Sequence, residues 1–133
     1  MKRALLLTTL MGLLSGGTCE PPPAPTFTQL RADIFQPRCG NAAGCHADNP
    51  ARGLDLVADP FASLVDKATI TDPTKKYVVP GEPENSLLLT ILRGPVDNDD
   101  AGLATRQMPP GFTLPEEDLA GLEAWIASGA PND

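Results

Sequence analysis

The sequence predicts a mainly α domain of short helices separated by long loops. Three observations lead there. Apolar residues recur at helical spacing in separate stretches, near residues 27–36, 83–93 and 113–129. Each stretch carries residues that start or stop a helix where one is needed. The intervals between them are long and draw on the 15 prolines and 12 glycines of the 133-residue chain, which break regular structure.

The first stretch stands apart from that domain. Lys2 and Arg3 precede the apolar run "ALLLTTLMGLL" and the small residues "SGGT". That order reads as a secretory signal peptide over residues 1–18, too short to anchor the chain across a membrane. Cys19 follows, opening "CEPPPAPT", with four prolines in eight residues. Residues 19–26 are expected to form an extended proline-rich stalk. Cys19 is a candidate lipid anchor, although Thr18 stands where a lipidation signal has Gly or Ala.

Residues 27–133 form the expected domain. In "FTQLRADIFQ", Phe27, Leu30 and Ile34 share one helical face, with Thr26 as cap and Pro37 as the stop. A Gly-, Asn- and Ala-rich loop follows. "LDLV" reads as a short extended piece, and "DPFASLVD" as a short helix capped by Asp59 with Pro60 in its first turn. A helix from about Pro83 to Arg93 presents Leu87, Leu88, Ile91 and Leu92 and ends at Gly94. Residues 94–113 carry no convincing element, and a loop of that length is usually functional or disordered. Thr113 and Glu116 then read as a capping box, Pro115 opens the last helix, and Gly129 with Pro131 closes it. Leu119, Leu122, Trp125 and Ile126 form its buried stripe.

Charge narrows the partners. Removing Lys2 and Arg3 leaves eight basic residues against seventeen acidic ones, a net charge of −9. Nucleic acid and anionic membrane surfaces are poor partners for such a surface. The mature length, roughly 115 residues, supports a modest core that a staple or cofactor would reinforce. Aromatic residues make up only 5% of the chain, which suits a core completed by something other than protein.

The chemistry gathers in "CGNAAGCH", residues 39–46. Haem attachment needs two thiols to add across two vinyl groups and an imidazole to reach the iron, usually as Cys-x-x-Cys-His. Here five residues separate Cys39 from Cys45, and His46 follows Cys45 directly, so one thioether and the proximal ligand keep their relative geometry. Small residues and two glycines let the longer gap bulge. A sixth ligand is present as well. Met1 and Met11 leave with the signal peptide, so Met108 in "RQMPPG" is the sole remaining methionine, stiffened by Pro109 and Pro110. Blue copper needs two histidines and an iron–sulfur cluster about four cysteines, and neither set exists. Zinc would need an oxygen such as that of Asp48 beside Cys39, Cys45 and His46. A Cys39–Cys45 disulfide, with His46 incidental and Met108 a core filler, is the other reading of these residues.

The ordered set "IFQPRC…GCH", "GLDL", "VVPGEPENSLLL", "MPPG" and "LAGLEAWIASGAP" resembles the cytochrome-c-like domains of planctomycete and myxobacterial exported proteins. The resemblance covers about residues 27–131. It implies a small cytochrome-c-like fold around one haem, with the C-terminal helix packed across the first. It also implies that Cys39 and Cys45 are the thioether cysteines, His46 the proximal ligand and Met108 the distal one. Trp125 matches the terminal-helix tryptophan, which packs near the haem.

The expected function is therefore one-electron transfer through haem c, in the periplasm or cell envelope, to a redox protein partner. A redox sensor or a subunit domain would use the same haem. From another class, the alternative is a disulfide-stapled, non-haem binding module of a surface lipoprotein. With its one histidine committed, the chain offers no acid–base or nucleophile constellation, and enzymatic activity is not expected.

Overall fold

Thr26 starts the first helix. In a computed structural model of the chain, which describes residues 22–40, 45–47, 53–70, 72–94 and 107–133, α1 spans Phe27–Leu30. The Thr26 hydroxyl accepts the Gln29 N–H at 3.2 Å, and the Gln29 side chain accepts the Thr26 N–H at 2.9 Å. That reciprocal pair satisfies two N–H groups that a helix start leaves bare. Asp133 serves the same end: its Oδ1 accepts the Phe27 N–H at 2.8 Å, and its backbone oxygen accepts the Thr28 N–H at 3.1 Å.

Pro37 does not stop this helix as expected. From Arg31 to Cys39 the backbone widens into a π-helix that continues through Pro37. A proline ring collides with the carbonyl four residues earlier in an α-helix, and the wider π register relieves that crowding. The carbonyl concerned, that of Asp33, is reached by Arg38 Nε at 3.5 Å. The Gly40 N–H, bonded to Phe35 O at 2.9 Å, closes the last π turn.

The remaining elements follow their signals more closely. Helix α2 spans Pro60–Leu64, and Asp59 Oδ1 accepts the Ala62 N–H at 3.1 Å. The helix expected from Pro83 to Arg93 is divided. Pro83–Asn85 forms one 3₁₀ turn, Ser86 is extended, and α3 spans Leu87–Arg93. The buried Ser86 hydroxyl makes the break: it accepts from Val79 N–H at 2.9 Å and donates to Glu82 O at 2.9 Å. The Leu87 and Leu88 N–H groups donate to Lys76 O and Tyr77 O, so α3 begins hydrogen-bonded to a neighbouring segment rather than capped by a side chain.

Helix α4 spans Glu116–Ala127. The Thr113–Glu116 capping box does not form; no side chain caps α4, and the Thr113 hydroxyl accepts Gln107 Nε2 at 3.0 Å instead. Pro115 O accepts the Asp118 and Leu119 N–H groups, and Glu116, Glu117 and Asp118 place negative charge in the first turn. At the far end Ala130 N–H bonds Trp125 O and Gly129 N–H bonds Ile126 O. These two bonds make a Schellman closure, with Gly129 at φ +100°, a conformation that glycine adopts without strain.

Helix makes up 46% of the described residues and no sheet forms among them. Two isolated bridges, Val65 with Val78 and Ala68 with Lys76, tie the segment after α2 to residues 76–78. The stretch expected to be extended at "LDLV" is bent, because Asp55 Oδ1 accepts the Val57 and Ala58 N–H groups at 2.9 and 2.8 Å.

One core unites these pieces. Trp125, Ile126 and Leu122 of α4 are fully buried with Leu64 and Val78. Phe27 meets Trp125, Phe61 and Phe35 with ring centroids 5.4, 5.2 and 6.0 Å apart, so most of the chain's few aromatics form one cluster. Pro25 lies against Gly121 of α4, so contact with the fold begins before α1. Arg93 of α3 pairs with Glu123 of α4. Among the described residues, no helix is long and apolar enough to cross a membrane. The expected signal peptide and Cys19 lie outside the described residues, as do residues 41–44, Asp48 and most of the loop 94–113.

Candidate functional site

The π-helical segment delivers Cys39 to the edge of the core. Its side chain is half-buried and packs on the main apolar cluster, and its thiol is not joined in a disulfide. Burial pushes the Cys39 thiol up to about 11, against a smaller opposing effect of Arg38, and a thiolate on the nearby Cys45 adds to the rise. Cys45 is exposed and also a free thiol.

Next to Cys39 the chain needs a glycine. A Cβ on Gly40 would stand 2.1 Å from Val57 Cγ2, which no pair of carbons tolerates. The segment 54–58 therefore closes directly on the end of the π-helix. Arg31 Nη2 holds the same segment by donating to Val57 O at 2.8 Å. Asp55 fixes its bend, and the two backbone N–H groups on its carboxylate hold Asp55 below the usual range.

That segment in turn fixes His46. The His46 Nδ1 lies 3.0 Å from Leu54 O, and Leu56 N–H donates to His46 O at 2.9 Å. A carbonyl oxygen only accepts, so Nδ1 carries the proton of that bond. That tautomer leaves Nε2 as the ring's metal-binding nitrogen, and a carbonyl bonded to the other nitrogen orients metal-binding histidines in general. The 54–58 segment thus contacts both Gly40, next to Cys39, and His46.

Met108 sits on a turn fastened to α3 by its own N–H, which donates to Ile91 O at 3.2 Å. Its half-buried side chain packs on Leu87 and Ile91 and also on the main core. The Met108–Pro109 peptide is cis, and Phe112 N–H donates to Pro109 O at 3.2 Å. Met108 and Cys39 therefore border the same apolar cluster, to which Leu54 and Leu56 also belong.

Two residues of this region went unmarked by sequence reasoning. Arg38 packs over the Phe112 ring and pairs with Asp118. The only signal for Arg38 was its place directly before Cys39. Leu54 acts through its backbone carbonyl, which no side-chain pattern announces. Among the described residues, no group of three or more His, Cys, Asp and Glu side chains is placed to hold a metal ion. No protein-family model matches the chain, and no curated protein or solved structure shows significant similarity to it.

Proposed function

We propose that this chain is a small exported c-type cytochrome that carries single electrons. In this reading Cys39 and Cys45 hold haem c through thioethers, His46 and Met108 are the axial ligands, and the fold is cytochrome-c-like. The observation that carries it is the His46 Nδ1–Leu54 O pair, which presents a lone nitrogen donor beside an exposed thiol at Cys45. A lone histidine and a lone methionine are too few for most metal ions, but haem brings four ring nitrogens and needs only two further donors.

Held by His46 and Met108, haem would supply one-electron ferric–ferrous chemistry with no iron site left for substrate, which suits electron transfer rather than enzymatic turnover. The chain's own residues do the rest. Leu54 O fixes the imidazole tautomer and angle. The Met108 thioether offers a soft, neutral sulfur that favours reduced iron. Pro109 and Pro110 restrict the backbone beside it. Cys39 packs on the apolar core to which buried Leu54 and Leu56 belong. The signal-peptide pattern supports export to the periplasm or cell envelope, with Cys19 a candidate lipid anchor and another redox protein as the electron partner.

An absorption spectrum tests this reading. Protein made with a c-type maturation system should show a low-spin haem spectrum that His46→Ala disrupts. A colourless, fully folded protein would overturn it.

A further inference from the structure

Arg38 joins three parts of the molecule that lie far apart in sequence. It directly precedes Cys39. Its Nη2 stands 3.0 Å from Asp118 Oδ2 in the first turn of α4, and its guanidinium carbon lies 5.7 Å from the Phe112 ring centre. Its Nε reaches Asp33 O within its own helical segment. Phe112 belongs to the turn that carries Met108, through its N–H bond to Pro109 O.

These contacts are sheltered. The Arg38 and Asp118 side chains are 31% and 19% exposed, so solvent and salt screen the pair less than a surface one. Asp118 Oδ2 is itself buried and has no hydrogen-bond partner, so the Arg38 charge is what compensates it. Phe112, by contrast, is 47% exposed, with the Arg38 guanidinium over its ring at cation–π range. A planar guanidinium can stack on a ring and meet a carboxylate at the same time, which an ammonium does less well.

We propose that Arg38 is a latch that holds the Met108 turn closed against the helix end bearing Cys39. By doing so it sets how firmly Met108 keeps its place as a ligand. Arg38 is a positioning residue, acting through Phe112 and Asp118 rather than touching the iron. The clause about ligation rests on the haem reading above; the latch itself does not.

The test has two arms. In haem-loaded protein, added imidazole competes with Met108, and Arg38→Gln should lower the imidazole concentration needed by about tenfold, a loss in keeping with residues coupled in one network. Arg38→Lys keeps the charge but loses the planar guanidinium over Phe112, and should recover only part of the wild-type resistance. Phe112→Leu keeps the ion pair and should shift the titration in the same direction as Arg38→Gln, which guards against a variant that fails to fold. In haem-free protein, amide exchange over residues 107–113 should quicken in Arg38→Gln and return towards wild type in Arg38→Lys. If no haem binds at all, the haem reading fails and the exchange arm alone decides the latch. Unchanged exchange overturns the latch, and quickened exchange with unchanged imidazole affinity overturns its role in ligation.

Discussion

Phe27 and Trp125 meet with ring centroids 5.4 Å apart and planes inclined by 32°. This contact joins the first helix to the last; Phe27 is buried and Trp125 fully so. Trp125 also donates Nε1 to Pro131 O at 2.9 Å, which folds the C-terminal residues back over α4. Asp133 then reaches the α1 N-terminus and closes the circuit.

Stability should therefore centre on this pair. Phe27→Ala removes a ring that touches three others and should cost about 3–5 kcal/mol, the usual range for emptying a large buried aromatic site. Trp125→Phe should cost less, leaving Pro131 O without its donor. Urea unfolding checks both; a loss below about 1 kcal/mol for Phe27→Ala would show that the two helices do not depend on the contact.

Much of this fold was legible because caps and apolar spacing act locally. Thr26, Asp59 with Pro60, and Gly129 each mark an end that the chain observes, and Leu119, Leu122, Trp125 and Ile126 are buried as a stripe. The failures have tertiary causes. Pro37 is accommodated by a π register that no local propensity encodes, Ser86 breaks a helix to serve Val79 and Glu82, and the Thr113 hydroxyl is taken by Gln107. At the site, Cys39, Cys45, His46 and Met108 stand out by residue type. Their supports, Leu54 O and Arg38, do not, because a backbone carbonyl and a common cation gain meaning only when distant segments meet.

Burial makes the two thiols unequal in the haem-free chain. Raising Cys39 from 9.0 to about 11 leaves it about a hundredfold less thiolate at neutral pH than an unperturbed cysteine. Iodoacetamide at pH 8 should thus label exposed Cys45 well before Cys39. The linkage has a definite sign: the folded chain keeps a proton that the unfolded chain releases, so this contribution is full below about 9 and declines as pH rises towards 11. Equal labelling rates at pH 8, followed by peptide mass analysis, would contradict the burial of Cys39.

Met108 has a spectroscopic signature of its own. Oxidised protein should show the weak near-infrared band of sulfur–iron ligation, and Met108→Ala should remove it and lower the reduction potential, because soft sulfur had favoured the ferrous state. Met108→Leu preserves volume and packing against Leu87 and Ile91, and should lose the band equally. A band that survives in Met108→Leu rules out Met108 as the sixth ligand, since residues 12–133 hold no other methionine.

Covalent haem is the central element of the proposed function, and the denatured mass of protein made with a c-type maturation system measures it directly. The chain should be heavier than its polypeptide by one haem. Cys45→Ala should abolish that increment, and Cys39→Ala should reduce attachment while leaving the thioether at Cys45. A matured, folded chain with the polypeptide mass alone would contradict the assignment of Cys39, Cys45, His46 and Met108 to a haem.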